Sequence, residues 1–204
     1  MISIVDYGLG NVKAFLNVYK RLNIDAQAVT TGDGLRDSTR IILPGVGHFD
    51  HAMERLDASG MREPLEALVM GDRVPVLGIC VGMQMLARSS DEGSRAGLGW
   101  IDGQVRAFQG WSPAARLPMP HMGWNDIAPQ MADPLLDGLD VNSRFYFLHS
   151  FFFECRSRET VLAVTNYGAD FACIVRRENI YGAQFHPEKS HHFGTRLLKN
   201  FAEL

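Results

Sequence analysis

One short stretch constrains this chain more than any other. Residues 74–79 form a nearly uninterrupted apolar run, the pattern of a strand buried on both faces of a parallel sheet. The run ends in Gly78-Ile79-Cys80-Val81-Gly82, and helical spacing follows over 82–87. G-x-C-x-G between a strand and a helix is the thiol form of a nucleophile elbow. The turn is so tight that a side chain at either glycine would strike neighbouring backbone. The central residue is left strained, with its sulfur exposed above the sheet. The helix start carries partial positive charge, which favours a thiolate at Cys80. The Val81 N–H points toward any oxyanion formed beside the sulfur. A cysteine without this context is most often a small buried apolar residue; the glycines and the preceding strand argue for chemistry.

The remaining pattern supplies a setting for that turn. Strand-like runs at 2–7, 26–30 and 40–43 alternate with helical spacing at 11–22, 50–56 and 64–70. This β-α-β-α rhythm predicts an α/β fold: an open, mostly parallel sheet flanked by helices, flavodoxin-like in kind. The second half changes character. Segments 104–107, 123–127, 144–151, 161–167, 172–177 and 180–185 are successive strand candidates, which predicts antiparallel strands added to the sheet. A last helix is expected at 193–202. Residues 110–120, with Pro113, Pro118 and Pro120, read as a loop rather than a linker. The sequence carries no repeat, low-complexity tract or charge block, so a single domain over 1–204 is expected.

Composition excludes several function classes. Net charge is −3 with no basic stripe, which argues against a nucleic-acid partner. No stretch of 18 apolar residues is present, so no membrane span is read. The N-terminal apolar run is broken at Asp6, so no signal peptide is read either. Cys80, Cys155 and Cys173 are odd in number and form no C-x-x-C pair; free thiols in a reducing cytoplasm are expected.

A thiol nucleophile needs a proton acceptor, itself held by a third group. His186 stands at the end of a strand stopped by Pro187, where open α/β sheets bind ligands. Glu188 lies two residues on and is able to accept from the imidazole N–H, fixing its tautomer. The alternative is a strand end with two surface polar residues. A metal cluster of His186, Glu188, His191 and His192 is disfavoured, because Pro187 breaks the helical pairing that zinc motifs use. No metal and no cofactor is called for. His48 and His51, near a probable helix start, read as solvated or partner-facing.

Taken together, the chain resembles the class I glutamine amidotransferases. The resemblance rests on Pro44-Gly45-Val46-Gly47-His48-Phe49, Leu77-Gly78-Ile79-Cys80-Val81-Gly82-Met83-Gln84, Pro120-His121-Met122-Gly123-Trp124-Asn125, Tyr146-Phe147-Leu148-His149-Ser150 and Gln184-Phe185-His186-Pro187-Glu188-Lys189-Ser190. Within that family it resembles the glutaminase subunits of imidazole glycerol phosphate synthase. The resemblance implies that Cys80 attacks the side-chain amide of L-glutamine, His186 moves the proton and Glu188 orients His186. It implies an oxyanion hole from Val46, Gly47 and Val81. Glycines on both sides of Val46 would let its peptide rotate. Substrate contacts are implied at Gly45, Gln84, His149, Ser150 and Phe151, the last standing where a tyrosine is common. Val81 replaces a frequent leucine, which matters little if its N–H is what acts.

Ammonia released into water is protonated and lost as a nucleophile, so a shielded path to an acceptor on another chain is expected. The resemblance implies a (β/α)₈-barrel cyclase of histidine biosynthesis in a heterodimer, with contacts at Asn11, Trp124 and Lys189. Trp124 reads equally as a core aromatic. The same chemistry could serve a sugar amidotransferase of surface-polysaccharide synthesis, whose flavour the segment 179–201 carries. A non-catalytic scaffold of the same fold is the third reading.

Overall fold

A computed structural model describes residues 1–114 and 116–204. Its first half builds a parallel layer. β1 (Ile2–Val5), β2 (Ala26–Val29), β3 (Arg40–Gly45) and β4 (Val76–Cys80) pair in the order β2-β1-β3-β4, all parallel. Every residue of β1 and β4 is buried, which explains their apolar sequences; the exception, Ser3 in β1, accepts a hydrogen bond from Ser38 Oγ at 2.6 Å. α1 (Val12–Arg21) turns Val12, Phe15, Val18 and Tyr19 inward, the spacing of one helix face. α2 (Phe49–Ala58) buries Phe49, Ala52, Met53 and Leu56. His48 caps it, its ring nitrogen accepting from Asp50 N. α3 (Arg62–Glu66) runs into a wider turn over Ala67–Gly71.

The helix expected over 82–87 is shorter: α4 spans only Val81–Gln84. The carbonyls of Met85, Leu86 and Ala87 accept from Leu98, Ile101 and Gly99, all in the following loop. Backbone groups so paired have no need of a continuing helix.

The second half contains β5 (Ser89–Ser90), β6 (Gly103–Ala107), β7 (His121–Asp126), β8 (Ala128–Pro129), β9 (Arg144–His149), β10 (Phe151–Cys155), β11 (Val161–Asn166), β12 (Asp170–Arg177), β13 (Ile180–Ala183) and α5 (His191–Glu203). The main sheet runs β2-β1-β3-β4-β13-β12-β10-β6-β5, with β11 on β12 and β8 on β11. β13 is the seam: it pairs parallel with β4 and antiparallel with β12. The loop over 110–120 is a loop in the structure too, and of it residue 115 lies outside the described residues.

Two expectations need correction. Residues 144–151 are not one strand. They divide at Ser150 into β9 and the start of β10, where strict alternation of buried and exposed residues gives way to three consecutive phenylalanines. β10 stays in the main sheet, while β9 leaves it and pairs with β7 as a separate two-stranded ribbon. The strand expected at 123–127 instead runs His121–Asp126 as β7, leaving Ile127 outside it, and is not an addition to the main sheet. Among the described residues, no helix is long and apolar enough to cross a membrane.

Candidate active site

The sulfur is presented by backbone strain. Cys80 has φ +55° and ψ −113°, a region that costs a non-glycine residue on the order of 1–3 kcal/mol. Missing side chains make room for it. A Cβ at Gly78 would lie 2.6 Å from Gly82 O, and one at Gly82 would lie 1.9 Å from Leu43 O. A Cβ at Gly45 would lie 2.4 Å from Gly82 N. Gly45 ends β3 opposite Cys80, so its glycine serves close approach rather than rotation. Gly47 differs: φ is +84° and a Cβ there would meet nothing within 4 Å. The freedom expected on both sides of Val46 therefore exists on the Gly47 side only.

β13 delivers His186 to the same cleft, and the backbone pins it there. His186 N–H donates to Tyr146 O at 2.9 Å, and Ser190 Oγ donates to His186 O at 2.6 Å while accepting from Tyr146 N at 3.0 Å. His186 Nδ1 lies 2.9 Å from Glu188 Oε1, both side chains almost free of solvent. Burial lowers the proton affinity of the imidazole. Hydrogen bonding and charge from Cys80 and Glu188 outweigh it and raise the pKa from 6.5 to about 10. With Nδ1 engaged by the carboxylate, Nε2 is the nitrogen left for the sulfur. Gln184 Nε2 donates toward Cys80 Sγ at 3.9 Å, and Leu148 O lies 4.0 Å from it.

The cleft measures ≈ 310 Å³ and brings Val46, Gly47, Cys80, Val81, Gln84, His149, Ser150, Phe151, His186 and Lys189 to one wall or another. Gly45 and Glu188 sit behind that lining. Gln84 does not reach in with its amide nitrogen, which donates to Phe151 O at 3.2 Å and Gln184 Oε1 at 3.1 Å. His149 is likewise engaged, its Nδ1 2.7 Å from Phe151 O. Both hold the wall; only Gln84 Oε1 is left to face a ligand.

Two residues escaped the sequence reading. Glu92 lines the cleft, with Oε2 accepting from Phe49 N at 2.8 Å and Oε1 left over. It stands in a loop between β5 and β6, where no periodicity marks it. Gln184 lay inside a noted motif but had no assigned role; as the residue following β13 it reaches the sulfur.

Of the residues expected to meet a partner, Lys189 stands at the cleft rim with Nζ 5.9 Å from the centre of the Tyr146 ring. Trp124 is 42% exposed and stacks on His191 at 5.0 Å, so it is not a core aromatic. Asn11 is exposed at the start of α1, beside Gly10, whose backbone packs on Pro44. His192 packs against Phe193. Among the described residues, no group of three or more His, Cys, Asp or Glu side chains is arranged to hold a metal ion.

Comparison with known proteins places this geometry. Residues 3–204 match the family described as glutamine amidotransferase class-I. The imidazole glycerol phosphate synthase subunit HisH of Bdellovibrio bacteriovorus is 60% identical over 204 residues, covering all of both chains. The Leptospira borgpetersenii subunit HisH is 52% identical over the same span, and subunit HisH 2 of Methanococcus maripaludis is 41% identical over 98% of each chain. A crystal structure of a glutamine amidotransferase superposes with a TM-score of 0.77 over 99% of this chain and 97% of the other, at 21% identity. With its elbow on β4, its histidine beyond β13 and its full-length likeness to the HisH subunits, this chain belongs to the class I glutamine amidotransferases, in their HisH branch.

Proposed function

We propose that the chain, as one unit over 1–204, is the glutaminase subunit of an imidazole glycerol phosphate synthase, working in histidine biosynthesis in the cytoplasm. The observation that carries the chemistry is the strained Cys80 sharing a cleft with a histidine that Glu188 holds at 2.9 Å. The proton released by the Cys80 thiol rests on His186. The sulfur attacks the side-chain carbonyl carbon of L-glutamine, and the N–H groups of Val81 and of the Val46–Gly47 loop receive the developing oxyanion. Donors of this kind are each worth ~3–4 kcal/mol at the transition state. His186 gives its proton to the departing nitrogen as the C–N bond breaks, and ammonia leaves a glutamyl thioester. Water, deprotonated by His186, then attacks the thioester and releases glutamate. The backbone of His149, Ser150 and Phe151 borders the α-carbon end of the substrate, and Glu92 Oε1 suits its ammonium group.

The acceptor of the ammonia is a (β/α)₈-barrel cyclase docked over the cleft. Supporting this is an apolar rim: Val46, Met122, Trp124 and Leu148 are all large and more than a third exposed. Lys189 and Asn11 flank the same region. Because Gly45 is clamped and Gly47 is free, docking has one peptide to turn, that between Val46 and Gly47. The HisH relatives favour this synthase over a sugar amidotransferase. The test is glutamine turnover by the purified chain, alone and with a barrel cyclase and its substrate. Glutamate release that rises sharply with the cyclase supports the reading; full activity of the isolated chain removes the gating, and no turnover in either state removes the glutaminase.

A further inference from the structure

The β7–β9 ribbon has two faces with different tasks. Met122, Trp124, Tyr146 and Leu148 form adjacent cross-strand pairs on the outer face. On the inner face, His121 pairs with His149. Both histidines are buried, and His121 is sandwiched between Phe147 at 4.8 Å and Tyr167 at 4.2 Å. Neither had a role as a proton carrier in the chemistry above, and His121 had no role at all.

Their hydrogen bonds permit only one arrangement of protons. Phe151 O is a carbonyl and accepts, so His149 Nδ1, 2.7 Å away, carries a hydrogen. A neutral His149 then has a bare Nε2, which must accept from His121 Nδ1 at 2.9 Å. His121 Nε2 is left to accept from Asn125 Nδ2 at 3.2 Å, and Asn125 Nδ2 also donates to Asn166 O at 2.8 Å. Burial keeps both rings neutral, lowering the His149 pKa to about 3 and that of His121 to about 4. The chain of donors therefore runs one way, Asn125 to His121 to His149 to Phe151 O, and ends on the carbonyl that Gln84 also holds.

We propose that His121 is a positioning residue for glutamine binding: through His149 it fixes the 149–151 wall of the cleft and ties that wall to the strand whose other face carries Trp124. The proposal rests on the glutaminase reading and deepens it. A residue outside the cleft lining sets the substrate site through two linked imidazoles. Any shift of β7 caused by docking on its outer face reaches Phe151 O through this donor chain.

The test contrasts two variants in the complex with the cyclase. His121→Phe keeps the ring sandwich but removes the Nδ1 donor, leaving His149 Nε2 buried and unpaired. His121→Asn loses the stacking but offers an amide nitrogen near the Nδ1 position. A lost donor of this type costs about tenfold in KM for glutamine, with kcat reduced far less, in the phenylalanine variant; the asparagine variant restores much of the loss. A merely structural role predicts the reverse order, since only phenylalanine preserves the packing. Wild-type KM in His121→Phe, or an asparagine variant no better than phenylalanine, overturns the proposal. Nitrogen-15 NMR of the wild-type chain provides the check if a variant fails to fold: both rings are expected as Nδ1–H tautomers, uncharged from pH 5 to 9. An Nε2–H tautomer in either ring, or titration near 6.5, overturns it equally. Absence of glutamine hydrolysis by the wild-type complex would instead defeat the glutaminase reading.

Discussion

The elbow around Cys80 and the β7–β9 ribbon border the same cleft, yet they are built on opposite principles. The elbow is rigid through sterics: three glycines leave no space between β3, β4 and α4, and Cys80 is held in a strained conformation between them. The ribbon stands outside the main sheet, and side-chain hydrogen bonds fasten its inner face while its outer face stays apolar and exposed. The contrast separates capacity from control. On the proposed function, chemistry sits where the chain determines its own geometry, and responsiveness sits where a partner is able to press on a strand.

Substitutions test that division. The largest effect is expected from Gly82→Ala, whose Cβ would meet Leu43 O at 1.9 Å. A backbone collision offers no side chain to yield, so the cost is about 3 kcal/mol or more, read as loss of folded protein in thermal melts. A fully stable variant would mean that the elbow is softer than described. Next comes His186→Asn, which leaves the fold but removes the proton carrier; glutamine turnover falls by about 10²–10⁴-fold. On the ribbon, Trp124→Ala weakens association with the cyclase by about 2 kcal/mol, the scale of an interface aromatic anchor, measured by titration calorimetry. Unchanged affinity would move the docking face elsewhere. Glu92→Gln raises KM for glutamine by about tenfold, as expected when an ion-paired carboxylate is neutralised.

The smallest effect, and the one most informative about charge, is that of pH on Glu188→Gln. The folded-state pKa of His186, about 10, lies above the value of 6.5 for a free imidazole. Its contribution to stability is therefore complete below about 6.5 and is lost as pH rises through about 10. Removing the Glu188 charge lowers the folded pKa, so the loss still begins near 6.5 but ends at a lower pH and is smaller in total, visible as a shallower fall of stability between about pH 7 and 10 in denaturation curves. Identical curves for variant and parent would mean the carboxylate does not hold the proton.

Legibility in the sequence followed the range of the interactions. The elbow was readable because Gly78, Cys80 and Gly82 are neighbours and the strand before them is uniformly apolar. His186 and Glu188 were readable because Pro187 marks a strand end. Gly45 was misjudged: its reason for being glycine is Gly82 N, across a strand pair that sequence spacing does not display. The break at Ser150 is hard to read because aromatic residues stand on both sides of the short polar pair His149-Ser150, and only the departure of β9 from the sheet exposes it. The His121–His149 pair depends on the register of two strands 28 residues apart. Glu92 reaches the cleft from a loop, where no period exists to read.

The central claim is tested most directly with Cys80→Ala in the complex with the cyclase. The account predicts no product from glutamine and normal product from ammonium salts, because only the thiolate chemistry is gone. Product formation from glutamine by that variant, or loss of both activities with the fold intact, would contradict it.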